Sequence, residues 1–169
     1  MSTIEDHLEA FDGVAISVLS EARAAFRDME GYLEDLFRLC GDPRANICVG
    51  ATWMLKAEAD AGTRFATELT DRLVQVLDLI PSWQAKLHIC QAIDAFDVTE
   101  EQARTLFTWA TALADDEKPF LRAWSLHAAV RLGLRFEELR PASEAALEAA
   151  HQDPAASVRA RARNLRKKR

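Results

Sequence analysis

Glycine, proline and tyrosine are scarce in this chain: six, five and one among 169 residues. Too few turn formers for a meander, with scattered β-branched residues, argue against sheets and for helices. Cysteine is scarce as well. Cys40, Cys48 and Cys90 are an odd number, each inside an apolar helical stretch. They read as reduced, buried thiols in a cytosolic protein rather than as a disulfide framework. No run approaches 18 apolar residues, so no spanning helix and no membrane partner are expected. Met1-Ser2-Thr3-Ile4-Glu5-Asp6 lacks a basic segment and an apolar run, and is not read as a signal peptide. Phosphate-cradling glycine loops, H-E-x-x-H, G-x-S-x-G and C-x-x-C are all absent. No catalytic, cofactor or metal site is expected, and the chain reads as non-enzymatic.

Acidic residues are missing from one end. Seven of the 21 basic residues lie between Pro154 and Arg169, where there is no acid. The remainder holds 14 basic against 27 acidic residues, a net of −13. An acidic body argues against nucleic acid wrapped over the whole surface, while a local basic patch stays open. Such an asymmetry also permits head-to-tail self-association.

What is present is a repeat. An aspartate precedes an apolar residue by five positions at Asp42/Ile47, Asp78/Trp83, Asp116/Leu121 and Asp153/Val158. The aspartates are 36, 38 and 37 residues apart. Apolar residues between them recur at spacings of three and four, the helical period. The pattern predicts about 8–9 helices in antiparallel pairs. Residues 14–40 read as one long helix with Gly31 inside it or as two helices broken near Arg27-Asp28, the repeat period favouring the second. A break is expected at Cys40-Gly41-Asp42-Pro43, with Asp42 as an N-cap and Pro43 first in its helix. Thr99 is expected to cap a later helix, Gly133 to end another, and Pro141 to fall in the first turns of its helix or kink it.

Asp, a nearby Pro, an apolar residue and then Arg, as in Asp153-Pro154…Val158-Arg159, resembles the HEAT-repeat signature of armadillo-like α-solenoids. Asp42-Pro43…Ile47 and Asp116…Pro119…Leu121-Arg122 share it, whereas Gln84 and Cys48 stand where Arg is usual. The resemblance implies an all-α, short right-handed solenoid of stacked antiparallel helix pairs. A single domain would cover 1–169, with capping helices in 1–27 and about four repeats of ~37 residues in 28–169. Asp42, Asp78, Asp116 and Asp153 would form a structural ladder, each capping a helix for about 1 kcal/mol and reaching an arginine of a neighbouring repeat.

In such a stack, positions one, five and eight after the apolar residue share an inner face. They read Cys48, Thr52, Leu55; Gln84, His88, Gln91; Arg122, Leu126, Ala129; and Arg159, Arg163, Arg166. Gln84, His88, Gln91, Arg122, Arg159, Arg163 and Arg166 are the candidate partner-binding residues, growing more basic toward the C-terminus. The expected function is a protein-interaction or scaffold module that binds a protein or acidic peptide. The alternative is a nucleic-acid-associated protein, distantly like the DNA-alkylation-repeat glycosylases, holding phosphate through the basic terminal helix. His88 and Cys90, two apart on a helix, point about 200° from one another, which disfavours a shared zinc. Trp53, Trp83, Trp109 and Trp124 are expected mostly in the core.

Overall fold

The computed structural model describes residues 2–168, and these are all-helical: ten α-helices, with no β-strand. Their contacts group them into two compact units, Met1–Asp97 and Val98–Arg169.

The first unit is built around one helix. α1 (Ile4–Glu9) starts with a capping box, in which Thr3 and Asp6 exchange side-chain and backbone bonds. α2 (Ile16–Phe26) and α3 (Tyr32–Leu39) are separate helices, as the period requires, and Gly31 at φ +80° makes the break. An L side chain there would be strained, so glycine is the residue that permits the turn. α4 (Ala45–Asp60) is buried nearly all round, through Ile47, Ala51, Met54 and Leu55 among others, and α1, α2, α3 and α6 pack on it. Burial of Ile47, Met54 and Leu55 contributes about 1.5–3 kcal/mol each, and that of Ala51 less. α5 (Thr67–Val76) packs on α3, and α6 (Trp83–Gln91) is capped by Ser82, which accepts from the Gln84 amide.

The apolar spacing predicts a helix from about Arg64 to Leu79 with Phe65 on its apolar face, but α5 starts only at Thr67 and Phe65 is extended. Its amide donates to the Ala95 carbonyl at 2.9 Å and its carbonyl accepts from the Asp97 amide at 2.8 Å. This bridge brings Phe65 and Phe96 against Phe37 with ring centroids 5.3–6.1 Å apart. Aromatic burial at that point outweighs the local helical pattern.

The second unit has its own centre in α8 (Pro119–Arg135), packed by α7 (Glu100–Ala112), α9 (Arg140–Ala150) and α10 (Ala156–Lys167). Thr99 caps α7 in a capping box with Gln102, as the sequence predicts. Pro141 lies in the first turn of α9 without kinking it. Gly133 does not end α8, which runs on to Arg135. Its role is close approach: a Cβ there would collide with the Ser143 side chain of α9. Leu126, Val130, Leu147, Ala162 and Leu165 form the core between α8, α9 and α10.

The aspartate column differs from expectation in its local geometry. Asp42, Asp116 and Asp153 are not N-caps, because Arg44, Lys118 and Ala155 occupy those positions, and α4 begins at Ala45 rather than Pro43. Each aspartate instead accepts, through Oδ1, the amide two residues ahead at 2.8 Å. Asp12 makes the same turn with Val14. These are Asx turns, which shape the helix entrance from outside it. Asp78 sits exposed in a 3-10 turn, Leu77–Leu79, and Ser82 caps in its place.

Candidate functional site

Helices α8 and α10 present the arginines singled out by the repeat, and the two units distribute the candidate residues differently. In the second unit Arg122, on α8, is consumed inside the fold. Its Nε and Nη2 fork onto both oxygens of Asp153 at 3.0 and 2.9 Å, and Nη1 donates to the Asp116 carbonyl at 2.8 Å. Both side chains of the pair are 13% exposed. The Asp153 carboxyl is therefore held below the usual carboxylate range, chiefly by the Arg122 hydrogen bonds. Among the described residues this is the one cross-helix Asp–Arg rung of the four ladder aspartates. Asp42 pairs with Arg44 of its own turn, and the Asp78 and Asp116 side chains form no ion pair among the described residues.

The α10 face is the opposite case. Arg159 donates from Nη1 to the Asp153 and Pro154 carbonyls at 2.6 and 2.9 Å. Arg166 reaches the exposed Glu148 at 2.6 Å. Arg163, Lys167 and Lys168 are exposed and take part in no ion pair among the described residues. Arg161 points elsewhere: its guanidinium lies 3.9 Å over the Trp124 ring, and burial pushes its pKa down. Trp124 stacks edge-on against His127, and its buried Nε1–H finds no acceptor among the described residues.

Beside the Arg122–Asp153 rung opens a cleft of about 270 Å³ between α7, α8, α9 and α10. Its walls are small residues, Ala110, Ala114, Ala129, Ala146 and Ala149, with Val158 at one side and the exposed Asp115 at the rim. Alanine is what leaves the space: larger side chains at these places would fill it. The charge pair gives the cleft a polar end and the alanines an apolar floor, a shape for an apolar side chain with a polar neighbour.

In the first unit the inner-face residues of α4 are covered. Cys48, Thr52 and Leu55 are at most 1% exposed, so on this helix the row is a packing surface. Across it lies His88, half-buried on α6, with Nδ1 3.1 Å from the Thr52 hydroxyl. The Thr52 hydroxyl also lies 2.9 and 3.1 Å from the Cys48 and Val49 carbonyls, so its contact with Nδ1 accommodates either tautomer of the ring. Burial and the Lys56 charge lower the His88 pKa to about 4. Gln84 is half-buried and tied to Ser82, and Gln91 lines a shallow depression with Thr63, Arg64 and Asp94. Leu126 and Ala129 on α8 are buried too.

All three cysteines are buried, free thiols, and burial raises their pKa values, that of Cys48 to about 11. Such thiols are poor nucleophiles. Among the described residues no group of three His, Cys, Asp or Glu side chains is placed to hold a metal. The tryptophans depart from expectation: only Trp109 is buried, Trp53 and Trp124 are half-buried, and Trp83 is 36% exposed.

Sequence reasoning passed over three features. Glu58 is 3% exposed and takes Arg23 in a bidentate pair at 2.7 and 3.1 Å, with the Tyr32 hydroxyl at 3.1 Å. Its position, four after Met54 and seven after Ala51, placed a charge on a core stripe and was readable. The Trp124–Arg161 stack and the alanine-walled cleft join residues distant along the chain and carry no local signal. Comparison of the chain with protein-family models, with curated proteins and with solved structures returned no match.

Proposed function

We propose that the chain is a non-catalytic protein-interaction module on HEAT-like helical repeats, and that its α10 face receives an acidic segment of a partner protein. The observation that carries this reading is the run of exposed cations Arg163, Lys167 and Lys168, which meet no carboxylate among the described residues. The alanine-walled cleft, which Val158 of α10 helps to line, supports it by offering an apolar side chain a seat against the same helix. The Arg122–Asp153 rung supports the repeat reading, since it joins the arginine of one period to the aspartate of the following one.

Fluorescence anisotropy with a labelled glutamate- and leucine-rich peptide tests the proposal on the full chain. Binding is expected to weaken several-fold as NaCl rises, because exposed charges are screened. It should weaken again in an Arg163→Ala/Arg166→Ala protein that keeps its circular dichroism melt. Equal binding by that variant removes α10 as the contact face. Tight, salt-dependent binding of a DNA duplex with none of the peptide would move the function to phosphate recognition.

A further inference from the structure

Arg122 and Arg159 are 37 residues apart and are anchored alike. In both, Nη1 donates back to the carbonyls of the residues six and five positions earlier: Asp116 and Glu117 for the first, Asp153 and Pro154 for the second. That anchoring fixes which way the guanidinium's remaining edge faces. In Arg122 the Nε–Nη2 edge grips the Asp153 carboxylate, itself shaped by an Asx turn to Ala155. In Arg159 the same edge meets no hydrogen-bond acceptor among the described residues, although the side chain is half-buried.

A half-buried guanidinium with one edge already tied down has lost much of its rotamer freedom before any ligand arrives. No acid on α10 competes for it, and Asp153, the nearest carboxylate on its own turn, is held by Arg122. We propose that Arg159 is a carboxylate-binding subsite whose ligand is an aspartate side chain at a helix entrance of a partner protein. The molecule displays the complementary group itself, since Asp153 is such an aspartate in the grip of the equivalent edge. The bidentate, planar match selects a carboxylate over a neutral amide of the same shape. The inference rests on the reading of α10 as partner-facing and adds which residue discriminates and what it recognises.

The test uses the ¹⁵N-labelled full chain and observes arginine Nε–H signals by NMR, assigned with single Arg→Lys variants. The probe is a synthetic octapeptide reproducing residues 151–158, compared with the same peptide carrying Asn for its Asp. Saturable movement of the Arg159 signal is expected with the Asp peptide. The Asn peptide should bind about tenfold more weakly, as expected for losing hydrogen bonds to a charged partner. The Arg122 signal should stay still, its edge being occupied. Arg159→Lys, which keeps the charge and loses the fork, should abolish the preference for Asp. Equal binding of the two peptides, or movement at Arg163 and Arg166 without Arg159, overturns this subsite and leaves the acidic-partner reading standing. Failure of this peptide together with the glutamate-rich one overturns both. The peptide comparison is made on the unsubstituted protein, so it does not depend on a variant folding.

Discussion

Lowering the pH from 7 to 4.5 should weaken the native state through His88 before the carboxylates take up protons. The unfolded chain protonates this histidine near 6.5, whereas in the native protein burial and the Lys56 charge hold it neutral down to about 4. Its neutral form therefore contributes stability above pH 6.5 that is lost as the pH falls toward 4. At about 1.4 kcal/mol per pH unit, the full separation corresponds to about 3 kcal/mol, and by pH 4.5 most of it is gone. Urea unfolding followed by circular dichroism at pH 7, 6, 5 and 4.5 measures the loss, with a His88→Gln protein alongside. Glutamine keeps a polar group toward Thr52 and cannot charge, and His7, His127 and His151 are common to both proteins and cancel in the difference. The wild-type advantage over the variant should shrink by about 2–3 kcal/mol across the window. A difference that is flat with pH, or an NMR titration of His88 centred near 6.5, would refute the argument that burial dominates its surroundings.

Glu58→Ala should cost about 2–4 kcal/mol in urea unfolding, since it strands Arg23 and the Tyr32 hydroxyl, while Tyr32→Phe costs about 1–1.5 kcal/mol. The Arg23 and Tyr32 hydrogen bonds outweigh burial and hold the Glu58 pKa below its ordinary 4.5. Its contribution is thus present above pH 4.5 and lost below it, an acid limb that Glu58→Gln should flatten in the same assay. Gly133→Ala gains helix propensity but forces α8 off Ser143, so a net loss of about 1–3 kcal/mol in thermal or urea unfolding is expected; a stabilised variant would contradict the close packing. Cys40, Cys48 and Cys90 should resist a thiol reagent in the native protein and react together in denaturant, and fast native labelling would place at least one of them at the surface.

Helical content, the cap at Thr99 and the basic terminal helix were determined by sequence. Each depends on neighbours a few residues apart: the 3.6-residue period, a Thr–Gln capping box and uncompensated charge. Residues 14–40 read as one helix or two, and the positive φ of Gly31 decided for two. The aspartate repeat was equally visible, but its meaning was not. Whether Asp153 capped its own helix or answered Arg122 depended on where α8 lay beside α10, and packing chose the second. Packing also buried Thr52 and Leu55 in a row that periodicity alone made a candidate surface, drew Phe65 out of a helix to meet Phe96, and left a cleft where alanines from four segments meet. Local patterns bind residues within a turn or two of one another, whereas these outcomes join residues up to 48 positions apart, from Phe65/Phe96 and Arg122/Asp153 at 31 to Ala110/Val158. Arg159 shows both levels in one side chain: its anchoring to the helix entrance follows from spacing, and its open edge exists only because the folded unit has set Asp153 on Arg122.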